Sequence, residues 1–117
     1  MMTAREIKHR IESNPSQWLI PFMEFVDDFR RTKSASEIID PIEPGNERFD
    51  ALLASTIEYL CHELSLNPPD WVWEVPSCRT PWFVSGVESL KAITLVESPV
   101  YFRRRKIFVL GNFLDRA

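Results

Sequence analysis

Apolar residues recur along this chain at helical spacing in two long segments. Trp18, Phe22, Phe25, Val26 and Phe29 form the first stripe, while Gln17, Glu24, Asp27, Asp28 and Arg31 fall largely elsewhere. Phe49, Leu52, Leu53, Thr56, Ile57, Leu60, Cys61 and Leu64 form the second, longer stripe. Both follow the i, i+3, i+4, i+7 pattern of a helix that buries one face. Asn46 is suited to cap the second helix, and Asn67-Pro68-Pro69 is suited to end it. Asn14 and Pro15 offer an N-cap and first helical position for the segment over 15–31. Pro21 lies inside that segment, and the expectation is a single element kinked there. A shorter helix is predicted ahead of it, with a capping box at Thr3 and Glu6 and apolar positions at Ala4, Ile7 and Ile11.

The remaining segments are punctuated by proline and glycine. Over 34–46, Ser34 to Glu37 resembles a capping box, but Pro41, Pro44 and Gly45 limit it to one turn and a loop. Four prolines interleave with Trp71, Trp73 and Trp82 over 67–84, which excludes a long helix and disfavours a central strand. Ser85-Gly86-Val87-Glu88 resembles another box and predicts a helix to about Val96. Ser98-Pro99 predicts a short helix to about Arg105. The run over 107–110 is readable either as an extended stretch or as a helical turn. The fold class expected is all-α, a single compact domain over 1–117 with about five helices. Its parts are helices over 1–33, a loop over 34–46, a central helix over 47–66, a Pro/Trp loop over 67–84, and helices with a tail over 85–117. The central helix is expected to pack on the 15–31 stripe, where each buried aromatic or leucine contributes roughly 1.5–3 kcal/mol.

Composition narrows the class without changing it. The 117 residues fit one core, and 44% apolar with 26% charged residues is ordinary for a globular protein. No window reaches the roughly 20 apolar residues of a membrane span, and the charged N-terminus lacks the apolar core of a signal peptide. Two cysteines suggest a reduced, cytoplasmic protein, with a single Cys61–Cys78 bridge as the alternative. Charge is uneven. Residues 34–97 carry eleven acidic and three basic side chains, whereas 98–117 carry five basic and one acidic, against a net charge of −3. An acidic middle and a basic tail invite pairing, within one chain or between two.

Candidate chemistry is sparse. His9, Cys61, His62 and Cys78 lack metal-ligand spacing, and Cys61 and His62 point about 100° apart on a helix. Three glycines cannot build a phosphate loop. Asp27 with Asp28, Glu58 with Glu63, and Glu43 with Glu47 read as exposed faces. No catalytic residue, metal or cofactor is expected. Trp71, Trp73 and Trp82 are read first as a cap over the open end of the core, and second as an aromatic partner-binding patch. Arg103, Arg104, Arg105 and Lys106 would spread over about 300° of a helix, so they cannot share one partner. Some should lie along the domain with their heads on carboxylates, and the exposed remainder is the candidate binding group.

The stretches "PPDWV", "PWFVSGVESLKAITLVESP" and "SPVYFRRRKIFVLGNFLDRA" resemble a recurring, uncharacterised bacterial family. Its tail pattern is met here by Ser98, Pro99, Phe102, Arg103, Arg104, Arg105, Ile107, Phe108, Leu114, Arg116 and Ala117. The resemblance covers 51–117 and implies a small cytosolic protein of toxin–antitoxin-like or defence loci. Some members are joined to a repressor-type helix-turn-helix. Residues 1–33 lack that motif and its glycine turn, and the resemblance assigns no active-site residue. The function expected is a non-enzymatic protein–protein interaction module or homo-oligomer, in its narrower form the antitoxin-like or regulatory component of a pair. The alternative is a nucleic-acid-binding accessory protein using Arg103 to Lys106.

Overall fold

The computed structural model describes residues 2–115, so Arg116 and Ala117 of the tail pattern lie outside the described residues. The domain is mainly α-helical, with helices α1 (Ala4–Ser13), α2 (Leu19–Thr32), α3 (Glu47–Glu63), α4 (Lys91–Glu97) and α5 (Val100–Arg103). Two short strands, β1 (Trp82–Phe83) and β2 (Ile107–Phe108), pair in parallel.

Three helices form the body. Met2 N–H reaches the Asp28 carboxylate and Arg10 pairs with Glu24, so α1 and α2 run antiparallel. Lys8 pairs with Asp50, and Glu12 accepts the Asn46 N–H at 2.7 Å, so α1 is also antiparallel to α3. The α2 and α3 helices run the same way, joined at one end by Trp18 on Phe49 and at the other by Arg30 on Glu63. The two stripes share one core, as expected, though without a close approach of their backbones. The closest backbone neighbours of α3 are α1, α5 and the turn Asp70–Glu74, whereas α2 lies closest to α1. The large Trp18 and Arg30 side chains reach across to α3 instead.

Local signals explain most element ends. Thr3 Oγ1 accepts the Glu6 N–H, and Asn46 Oδ1 accepts from Arg48 and Phe49 at 3.0 and 3.2 Å. The expected kink is absent: Pro15–Gln17 make a separate 3-10 turn, and α2 starts at Leu19. Pro21 then falls in the first turn, where its missing N–H has no intrahelical partner to lose. Asn14 makes no capping bond to the backbone and takes the Ser16 hydroxyl instead. The α3 helix ends before the prolines. Leu66 N–H bonds to Cys61 O at 2.7 Å and Ser65 N–H to His62 O at 3.3 Å, with Ser65 at φ 58. That is a Schellman end, formed with serine where glycine is favoured.

The C-terminal third departs furthest from its pattern. Gly86 turns at φ 69, a 3-10 turn covers Glu88–Leu90, and α4 begins only at Lys91. Ser98 does not cap α5; its Oγ donates to Thr94 O and accepts the Val109 N–H at 2.8 Å. The 107–110 run resolves as extended, with Trp82 N–H on Lys106 O at 2.8 Å and Phe83 stacked on Phe108. The Pro/Trp segment therefore supplies a strand, because β2 offers it a parallel partner through the α4–α5 crossover.

A residue other than glycine in the left-handed region costs about 1 kcal/mol or slightly more, offset in part by the freedom glycine gains when unfolded. Ser65→Gly is expected to stabilise the domain by roughly 0.5 kcal/mol. Urea denaturation checks this as a higher midpoint at unchanged slope.

Candidate functional site

Glu58 and Arg105 form the most constrained polar centre. Every residue from Ala51 to Glu58 on α3 is buried, so this middle stretch of the helix is enclosed on all sides rather than along one stripe. Glu58, expected on an exposed face, is 1% exposed. The turn after α5 delivers two guanidinium groups to it. Arg105 Nη1 donates to Glu58 Oε1 and, at 3.4 Å, to Ser55 Oγ, while Nη2 donates to Val72 O at 2.9 Å. Arg104 donates to Glu58 Oε2 from the surface side, and its guanidinium carbon lies 5.7 Å from the Trp73 ring centroid. Glu63, the other half of the expected acidic pair, binds Arg30.

The basic run and the tryptophans are thus divided by position. The α5 helix stops at Arg103, and Lys106 takes φ 63, so the four cations never share a helix. Arg105 is buried and Arg104 is held by Glu58; Arg103 and Lys106 are exposed. Neither Arg103 nor Lys106 pairs with a carboxylate among the described residues. Trp71 is buried and its indole N–H donates to Ile38 O at 2.9 Å. Trp82 is half-buried against Trp18 and Phe49, with Arg48 over its ring. Only Trp73 of the three stands outward.

Two further buried groups escaped sequence reading. Lys8, on the apolar face of α1, is 1% exposed and pairs with Glu12 and Asp50 while donating to Glu43 O. Glu37, the last residue of the 34–37 box, turns inward to accept the Thr32 hydroxyl. Burial, together with nearby Asp28, raises its pKa above the usual carboxylate value. Asp28 is shifted down: burial opposes this, but the Met2 N–H, Glu37 and Arg31 outweigh it.

The sulfur and imidazole groups form no nucleophile pair. Cys61 is buried and its thiol is pushed up to about 11 by burial, with Glu58 adding to the effect, while His62 faces outward beside Tyr101. Burial also raises Cys78. Among the described residues, no three His, Cys, Asp or Glu side chains are grouped to hold a metal, and no helix is long and apolar enough to cross a membrane.

The most exposed apolar surface belongs to α4, and the sequence pattern did not single it out. Thr94 is the only buried residue of this helix. Ala92, Ile93, Leu95 and Val96 fall within an arc of about 160° on the opposite side. Ile93, Leu95 and Val96 are 44%, 46% and 79% exposed, and Val87 and Val100 on either side of the helix are also exposed. The middle of the helix is inside out, with Thr94 toward the domain and the apolar residues around it toward water. Comparison with protein-family models, with curated proteins and with solved structures finds no match for this chain.

Removing one partner of a buried ion pair leaves the other charge uncompensated, which costs about 3–5 kcal/mol. Arg105→Ala is expected to approach the lower end of that range, because Glu58 keeps only the half-exposed Arg104 and the Val72 carbonyl loses its donor. Arg104→Ala should cost about 1 kcal/mol or less, because its charge is half in solvent and Glu58 keeps Arg105. Urea unfolding of the two variants separates the roles.

Glu37 gives a prediction of opposite character. A carboxyl whose pKa is raised on folding is penalised in its ionised form. The penalty is absent below the unfolded value of about 4.5 and fully present above the raised folded one. Glu37→Gln should therefore raise Tm at pH 7 and change it little near pH 3.5, which paired thermal scans measure.

Proposed function

We propose that this chain is a non-enzymatic protein–protein interaction module that docks through the outward face of α4. The observation that carries the reading is the inverted helix. A water-facing helix of a monomer normally turns its polar side outward, and contiguous exposed apolar patches mark interaction sites. The Thr94 hydroxyl is satisfied by Lys91 O, so its position against the domain is a settled packing arrangement. Trp73 and Arg104 offer a second outward aromatic–cation pair of the kind enriched at interface centres.

The resemblance of the tail makes a protein encoded beside this one the first partner to test, with this chain as its regulatory or neutralising component. The nucleic-acid alternative has less support than the run "RRRK" suggests. With Arg105 buried and Arg104 engaged, Arg103 and Lys106 remain to meet phosphates, and each contact contributes only about one unit of salt dependence.

Exposed apolar side chains contribute little to stability, so their replacement separates docking from folding. The double variant Leu95→Lys/Val96→Glu is expected to keep its helical circular dichroism and to unfold within about 0.5 kcal/mol of the parent. It should lose at least tenfold in affinity for the neighbour-encoded protein in titration calorimetry. Equal binding by parent and variant would refute docking through α4.

A further inference from the structure

The ridge formed by α4 has a counterpart elsewhere on the same chain. A cleft of about 350 Å³ opens between the 41–44 loop, the start of α3 and the turn Asp70–Glu74. Its apolar walls include Pro41, Pro44, Trp71, Val75 and Pro76. No basic side chain lines it, and the charge of Asp50 at its floor is already met by Lys8. The surrounding charge is negative and unspent. Glu74 lines the cleft, Asp40 and Asp70 adjoin its wall residues Pro41 and Trp71, and all three are exposed. None of the three pairs with a cation among the described residues.

The ridge carries the opposite sign. Val100 follows α4 directly, and Arg103 lies one turn further along the same face of α5, three residues before Lys106. Both cations are exposed and unpaired with carboxylates, as described above. Ridge and cleft sit on different supports: α4 packs on β2 and the 88–90 turn, and the cleft's 70–74 wall on α3.

We infer that they fit each other between copies: the α4 ridge of one chain seats in the 41–76 cleft of the next, with Arg103 and Lys106 against Asp40, Asp70 and Glu74. This rests on α4 being a docking face and names a second copy of this chain as its occupant. Each side supplies what the other lacks, an exposed apolar helix face with cations and a recessed apolar surface with carboxylates. The contact is heterologous, so each added copy leaves one free ridge and one free cleft unless a ring closes.

The test uses the full chain in sedimentation velocity at low and at about 0.5 M salt, where screening confines charge interactions to a few ångströms. The parent should form concentration-dependent species larger than a dimer at low salt and revert toward monomer at high salt. Arg103→Glu/Lys106→Glu and Asp40→Lys/Asp70→Lys/Glu74→Lys should each be folded by circular dichroism and monomeric. Mixed in equal amounts, they should assemble, because each ridge then meets a cleft of opposite charge.

A parent that stays monomeric throughout overturns the inference. So does a two-fold dimer indifferent to both reversals, or assembly that survives Leu95→Lys/Val96→Glu. A monomeric parent that binds anionic vesicles would assign the face to a membrane instead. If the parent is monomeric while Leu95→Lys/Val96→Glu still loses the neighbour-encoded protein, this inference fails and the proposed function stands.

Discussion

The buried pair of Glu58 and Arg105 is the constraint from which the C-terminal half of this protein takes its position. Bringing two charges out of water costs several kcal/mol per ion, and attraction alone rarely recovers it. Here both terminal nitrogens of the guanidinium are engaged: Nη1 toward Glu58 and Ser55, and Nη2 toward the carbonyl of Val72. One side chain thus joins α3, the 70–74 turn and the segment after α5. The backbone of Arg105 is fixed with it, and its carbonyl takes the Cys78 N–H at 3.0 Å. From there the parallel register follows, placing Trp82 beside Ile107 and hence against Trp18 and Phe49. An apolar pair of equal volume could fill the same space, but it would not choose between registers one residue apart.

A second ionic centre does the same at the other end of α3. Lys8 reaches Glu12, Asp50 and the carbonyl of Glu43, so α1, the start of α3 and the 43–46 loop meet at one ammonium group. Asp50 and Glu58 are two helical turns apart, so a single helix carries one acid bound to a buried cation for each half of the domain. The acidic middle of the sequence is therefore partly an internal resource. Its Glu58, Asp50 and Glu63 neutralise Arg105, Lys8 and Arg30, while Asp40, Asp70 and Glu74 are left facing solvent.

What was legible in the sequence follows from this division. The cores of α1, α2 and α3 rest on apolar periodicity and on caps at Thr3 and Asn46, and both are local signals. The prolines excluded long helices over 67–84, and they do not occur within β1 itself, yet the strand pairing depends on β2 some 25 residues on. Glu58 and Lys8 look like solvated helix residues because the partners that bury them, Arg104 and Arg105 for one and Asp50 and the Glu43 carbonyl for the other, are remote in sequence. Arginine pairing with middle-segment carboxylates was foreseeable as a tendency, whereas which arginine went inside was decided by the turn at Lys106. Ser98 illustrates the same limit: the Ser-Pro pattern of a helix start is present, but Val109 competes for the hydroxyl and wins. As for the site, the sequence singled out Arg103 and Lys106, which are exposed, alongside Trp71 and Arg105, which are not.

The α4 helix shows why such a surface resists sequence reading. Its spacing of Ile93, Leu95 and Val96 is compatible with a buried face, and nothing local states which way that face points. Orientation comes from its ends: Ser98 ties the C-terminus to Val109, and Thr94 is drawn against the body by the same knot of bonds. A seven-residue helix is too short to be stable alone, so these ties also account for its being a helix. The consequence reaches the functional proposals. If one face serves both a neighbouring copy and a different protein, the two occupants exclude each other, and by linkage each weakens the other's binding equally. Self-association would then cover the docking face until a tighter partner arrives, and arrival of that partner would dismantle the assembly from its exposed ridge.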